Sequence, residues 1–203
     1  MSINLQKGQR IDLRKSGGET LKSACVGLNW GAIVKKTFLG MKKTEAVDLD
    51  ASCILFNAQK QLSEVVYFGN LRSRNSSVIH SGDDLTGDVG GDDGLDNEVI
   101  TIHFDMLPAE VEFVALVLNS YRGQDFGDIP FASIRIYEGT PTNVKEVFAK
   151  YDIANDKQFA GHVAMVMGIF YRKNGEWKFN AIGDPTADRK LEQTVQTVQQ
   201  KYL

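Results

Sequence analysis

Cysteine, histidine and proline are scarce in this chain of 203 residues, which has two, three and four of them. Two cysteines, Cys25 and Cys53, cannot build a disulfide scaffold or a four-cysteine zinc site. His80, His103 and His162 are scattered without ligand spacing. Four prolines exclude a collagen-like or proline-rich chain. No apolar run reaches the roughly 20 residues of a membrane-spanning helix. The opening residues, Met1-Ser2-Ile3-Asn4-Leu5-Gln6-Lys7, lack the apolar centre of a signal peptide. Surplus positive charge is missing too: the net charge is -3, which gives no general attraction to nucleic acid or anionic lipid. What remains is ordinary for a folded chain, with 42% hydrophobic and 24% charged residues. The length suits one domain spanning residues 1–203. The chain reads as a reduced, cytoplasmic protein.

One absence is local. Between Asn75 and Tyr121 there is no Lys or Arg, while ten acids crowd the same window. That stretch carries -10 and the remaining chain +7. Seven of the ten lie between His80 and Glu98, among five glycines. Crowded carboxylates repel one another, and either a bound cation or plain solvation relieves them.

Most of the chain alternates at period two. Over residues 46–56, Val47, Leu49, Ala51, Cys53 and Leu55 share one face and Asp48, Asp50 and Ser52 the other. Short β-branched or aromatic runs recur at 3–13, 23–30, 62–68, 98–104, 111–119, 131–137, 163–171 and 176–182. Asn174-Gly175 between the last two signals a tight hairpin. The one convincing helix is C-terminal, with Leu191, Val195, Val198 and Tyr202 at helical spacing after a polar Asp184-Pro185-Thr186 start. Residues 31–44, rich in lysine, read as an exposed basic loop. Strands without intervening helices predict a mainly β fold: a two-sheet antiparallel β-sandwich with a C-terminal helix.

Two features carry chemistry. Asp48 and Asp50 place carboxylates two residues apart on one strand face, and the acidic loop offers Asp83, Asp84, Asp88, Asp92, Asp93 and Glu98. Such an all-oxygen supply, with glycines that let carbonyls turn inward, suits Ca²⁺ better than Zn²⁺. No register matches an EF-hand loop, and Gly90-Gly91-Asp92-Asp93-Gly94-Leu95-Asp96 is out of phase with the RTX repeat. Cys25 and Cys53 sit in apolar runs as core thiols. Arg122 and Asp125 flank a glycine-rich turn and read as an ion pair.

These pieces together resemble the TerD-like tellurite-resistance and stress-response family over nearly the whole chain. The resemblance rests on Asn4-Leu5-Gln6-Lys7-Gly8-Gln9, Val26-Gly27-Leu28-Asn29-Trp30, Val47-Asp48-Leu49-Asp50-Ala51-Ser52 and Tyr67-Phe68-Gly69-Asn70-Leu71. It rests most on His80-Ser81-Gly82-Asp83-Asp84-Leu85-Thr86-Gly87, with Gly91-Asp92-Asp93 and Glu98 after it. Arg122-Gly123-Gln124-Asp125-Phe126-Gly127 and Asn174-Gly175-Glu176-Trp177-Lys178-Phe179 complete it. The resemblance implies a C2-like β-sandwich that binds Ca²⁺, two ions, through Asp48, Asp50, Asn70, Asp83, Asp88, Asp92, Asp93 and Glu98. Carbonyls near Leu49, Leu71 and Thr86 would assist. It implies a stress-response module whose partners are other proteins of a resistance system. With no nucleophile–base pair and no phosphate-cradling loop an enzyme is not expected, the net charge of -3 does not call for nucleic acid, and the lysines of residues 31–44 make membrane association only a secondary expectation. The family usually runs Gly-Asp-Asp directly into Glu. Here Gly94-Leu95-Asp96-Asn97 intervenes, which leaves Asp93, Asp96 and Glu98 as alternatives for the last ligand.

A competing reading is enzymatic. Asp48-Leu49-Asp50-Ala51-Ser52 also looks like the nucleophile motif of Mg²⁺-dependent haloacid-dehalogenase-type phosphatases, with Asp48 attacking phosphorus and Asp50 as acid/base. That fold requires a parallel sheet with crossover helices, and no helical stripe lies between residues 52 and 83.

Overall fold

A computed structural model of the chain describes residues 3–4, 9–12, 18–36, 38, 40–152 and 157–203. Its strands are β1 (Ile3–Asn4), β2 (Arg10–Asp12), β3 (Ser23–Trp30), β4 (Ile33–Lys36), β5 (Lys42–Glu45), β6 (Leu49–Asn57) and β7 (Leu62–Val66). Then follow β8 (Val78–His80), β9 (Glu98–His103), β10 (Val111–Ser120), β11 (Ala132–Thr140), β12 (Asn143–Asp152), β13 (Ala164–Lys173) and β14 (Glu176–Thr186). Among the described residues a single α-helix, α1 (Leu191–Thr197), runs into a π-helical turn over Val198–Tyr202. The strands form two six-stranded sheets in the orders β1-β12-β11-β3-β9-β8 and β2-β14-β13-β10-β6-β7. Among the described strands all pairings are antiparallel except β1 with β12.

The expected sandwich and its C-terminal helix are present. Each sheet turns alternate residues inward, as the pleat requires. Val26, Leu28 and Trp30 of β3 and Ile100 and Ile102 of β9 meet Leu49, Cys53 and Leu55 of β6 and Leu116 and Leu118 of β10 in one core. The outer face of the second sheet is buried as well. Ile54, Phe56, Ala115, Val117 and Val166 pack under Val195 and Val198 of the C-terminal helix. Both cysteines are buried and unpaired. Asn174 and Gly175 both take positive φ, 54° and 79°, which is the turn the Asn-Gly pair favours.

Several elements differ from the sequence reading. The basic stretch expected as a loop contains paired strands: β4 and β5 form a small antiparallel pair, with Lys35 Nζ 2.7 Å from Glu45 Oε2. Lysine-rich strands escape a hydrophobic-period search because neither face must be apolar. The short β8 and the long β12 carry no clean period-two signature, and β12 contains register shifts against β11. Asp184-Pro185-Thr186 ends β14, and the helix starts only at Leu191. Of the run expected at 3–13, β1 and β2 are strands, and residues 5–8 and 13 lie outside the described residues.

Candidate metal centre

Asp48 stands just before β6 and Asp50 lies on it, both pointing away from the main core with Ser52. In an isolated sheet that face would meet water. Here the C-terminal helix covers its far end at Ile54 and Phe56, and Asp48 is 2% and Asp50 6% exposed. On β10 the residue directly opposite Asp50 is Asn119. Asp83, exposed in the loop after β8, completes a group in which one carboxylate oxygen from each residue lies within 4.8 Å of the other two. Among the described residues no other group of three acidic, His or Cys side chains converges as closely.

The charge balance around this group is unfavourable. One guanidinium attends it: Arg122 Nε is 3.2 Å from Asp48 Oδ2. Asp48 Oδ1 is buried without a hydrogen-bond partner. Behind the group sits Glu98, fully buried at the start of β9. Its Oε2 accepts the Ala51 amide at 2.8 Å and its Oε1 the Asp84 amide at 3.3 Å. His80 Nε2 is 3.4 Å from Glu98 Oε2 and 3.2 Å from the Ala51 carbonyl, while Gly82 N–H donates to His80 Nδ1. Ala51 needs these partners because β7 begins pairing with β6 only at Cys53. Burial, then the charges of Glu98, Asp48 and Asp83, push the Asp50 carboxyl up to about 8. Burial likewise raises Asp48, against the pull of Arg122, and raises Glu98, against that of His80.

The acidic loop is stitched to the sandwich by backbone. Val47 N–H donates to Thr86 O, Asp88 N–H to Trp30 O and Asn97 N–H to Leu28 O. Trp30 Nε1 donates to Val47 O at 2.9 Å, and Gly87, at φ +64°, lies against the indole, where a Cβ would clash. Two of the proposed assisting carbonyls are already acceptors: Thr86 O from Val47 N–H, and Leu71 O from His80 N–H.

The remaining candidates divide. Asp88 accepts from the Asp93 amide and from the Asn97 side chain, Asp92 from Asn29 and the Gly94 amide, and Asp93 from the Leu95 amide. Asn97 also bridges Asp88 to Asp84. Burial opposes ionisation of Asp84, but donors from Thr86, Gly87 and Asn97 hold it below its ordinary value. Asn70 sits exposed after β7, its amide on the Val65 carbonyl. Asp96, one of the three alternatives for the last position, is committed elsewhere. Its Oδ1 is 2.7 Å from Arg135 Nε, and it packs on Gly27, where any Cβ would overlap it. The expected Arg122–Asp125 pair gives way to Arg122–Asp48, and Asp125 instead accepts the Gly127 and Gly161 amides.

A family model described as the TerD domain matches residues 1–197. The chain belongs to the TerD family. It is 38% identical to the stress response protein SCP2 of Bacillus subtilis, across 96% of this chain and 98% of that one. It is 34% identical to the tellurium resistance protein TerZ of Serratia marcescens, across 94% and 93%. A crystal structure of a homologue of the telluride resistance protein TerD from Streptomyces coelicolor superposes with a TM-score of 0.64. At 19% identity it covers 85% of this chain and 94% of that one, so it supports the fold alone. Within this TerD domain two of the sequence pieces that carried the resemblance meet at one place. Val47–Ser52 and His80–Gly87 supply the carboxylate group and the Glu98–His80 contact behind it. The role of His80 and Glu98 as edge partners of Ala51 was not legible in spacing, because the two sheets that join there are remote in sequence.

The donor set fits a hard cation. The converging atoms are all oxygens, two of the three carboxylates are buried, and one buried oxygen lacks any partner.

Proposed function

We propose that this TerD-family protein is a cytoplasmic calcium-binding module of the stress response. Its Ca²⁺ would order the acidic loop against β6 and so present a surface to other proteins of a resistance system. The observation that carries this reading is the convergence of one oxygen each from Asp48, Asp50 and Asp83 within 4.8 Å, with the Arg122 guanidinium against Asp48. Those three would hold one ion. Asp88, Asp92 and Asp93, with Asn70 and Glu98, are the further donors for a two-ion site. Bound calcium would supply the positive charge that this group otherwise lacks. The chain's part is positional: β6 fixes two carboxylates, and the loop anchored by Val47, Trp30 and Leu28 brings the third. Relatives named for tellurium resistance and stress response support the biological setting.

The phosphatase reading finds no support in the topology, since β6 lies between antiparallel β10 and β7 with no crossover helix. Calorimetric titration with CaCl₂ and with MgCl₂, beside a phosphatase assay in Mg²⁺, tests both readings. Saturable Ca²⁺ binding without turnover is the expected result. Absence of Ca²⁺ binding overturns the proposal.

A further inference from the structure

A cavity of about 700 Å³ opens between the C-terminal helix and the outer face of β6, β7 and β10. Its size is that of a small-molecule site. Ser52 and Asn119, 1% and 7% exposed, line its floor, and one polar atom of each, Ser52 Oγ and Asn119 Oδ1, is buried without a hydrogen-bond partner. Unpartnered groups this deep are costly, so a native fold rarely carries two together unless something meets them. The register explains why they coincide. Ser52 is two residues beyond Asp50 on one strand face, and Asn119 is the cross-strand partner of Asp50, so all three side chains share one floor. The amide nitrogen of Asn119 is already spent on Thr194 Oγ1 at 3.1 Å, which leaves its carbonyl oxygen as the free end.

The walls differ from the floor. Tyr67, Phe68 and Tyr121 form an aromatic side, with Phe68 edge-on to both tyrosines, and Leu191 and Val195 close the helix side. Arg189 and Lys190 line the same cavity just ahead of the helix and bring two cations to its helix side, where Glu192 also stands, while the other lining acid, Asp50, lies in the floor. The floor thus asks for a hydroxyl or amino donor, the walls for a flat apolar body, and the cationic pair for an acid group.

We infer that this cavity is a binding site for a small hydroxylated or amino-substituted aromatic acid, held with its donor on Ser52 and Asn119 and its acid on Arg189 and Lys190. The inference does not depend on calcium, although Asp50 belongs both to the floor and to the carboxylate group.

The test is NMR titration of the ¹⁵N-labelled protein in EGTA, at millimolar probe. The panel pairs 4-hydroxyphenylacetate, 4-aminobenzoate and salicylate with phenylacetate and benzoate, which lack the donor. Saturable shifts at the amides of Ser52, Asn119 and Leu191 are expected for at least one donor-bearing acid, about tenfold tighter than for its parent acid. Ser52→Ala should cut that preference to within about threefold, and Arg189→Ala with Lys190→Ala should weaken both acids about tenfold. Leu62→Trp, at a half-exposed position on the cavity wall, should block binding while leaving the spectrum folded. No saturable shift at these amides from any panel member overturns the assignment. So does undiminished binding by Leu62→Trp, or a preference that Ser52→Ala leaves intact.

Discussion

Glu98 of one sheet accepts a 2.8 Å hydrogen bond from the Ala51 amide of the other, directly beside the strand position that carries Asp50. This contact closes the open edge of β6, and it places a third buried carboxyl behind the two that face the loop. The same bond therefore serves the fold and loads the site with negative charge. The predictions below separate these consequences.

Calcium should stabilise the protein. A ligand that binds only the folded state at ~100 Kd contributes about 2.7 kcal/mol per site. For a chain of this size that is a rise of roughly 5–10 °C in Tm. Calorimetric melts in CaCl₂ and in EGTA measure it, and coincident curves would refute a structural cation site.

Asp50→Ala and Asp83→Ala should each weaken Ca²⁺ binding by at least about tenfold, since each removes a converging ligand and a compensating charge. Asp105→Ala should leave affinity unchanged, because Asp105 is an exposed turn residue beyond β9. Calorimetric titration of the three variants decides. Equal losses would mean that diffuse negative charge, not a coordination shell, holds the ion.

The metal-free protein should lose stability as pH rises. The folded Asp50 carboxyl lies near about 8, above its ordinary 3.8. A raised carboxyl contributes stability below its unfolded pKa and loses that contribution as pH climbs through the folded value. Tm in chelator-treated protein should therefore fall between about pH 4 and about pH 8. Asp50→Asn should show a shallower fall, with the residue from Asp48 and Glu98, which are also raised. Identical slopes for the two proteins would remove Asp50 as the cause.

Glu98→Ala and Glu98→Gln should part company in urea denaturation. Alanine leaves the buried Ala51 amide without its acceptor and frees the Asp84 amide, at about 1–3 kcal/mol for a buried unsatisfied group. Glutamine keeps an acceptor oxygen for Ala51 while deleting a charge that raises Asp50. The glutamine variant should thus retain most of its stability and titrate Asp50 at lower pH. Equal destabilisation by both would show that the charge, rather than the hydrogen bonds, matters.

Much of the candidate site was legible because its signals are local. Asp48 and Asp50 share a strand face by period two, and the loop from His80 to Glu98 is conspicuous by its acids, its glycines and its missing lysines. Three roles were not legible. Asp96, indistinguishable from its neighbours in the sequence, belongs to Arg135. Arg122 serves Asp48 rather than the nearby Asp125. Asp84 spends its carboxylate on the turn at Thr86 and Gly87. In each case the deciding partner lies on another strand or depends on the turn the backbone takes.

By itself the sequence determined the strand periodicity, the Asn174-Gly175 turn, the family and the position of the acidic loop. Each follows from neighbours along the chain, where side-chain period and glycine placement act directly. Only the tertiary structure decided that the Asp48–Asp50–Ser52 face is buried rather than wet: its far end, at Ile54 and Phe56, lies under a helix about 140 residues later, and Arg122 and Asp83 come to its near end from other parts of the chain. It also set Asn119 opposite Asp50 and Glu98 behind it. Register between strands and the pairing of sheet edges are cooperative properties of the whole sandwich, and no short stretch of residues encodes them.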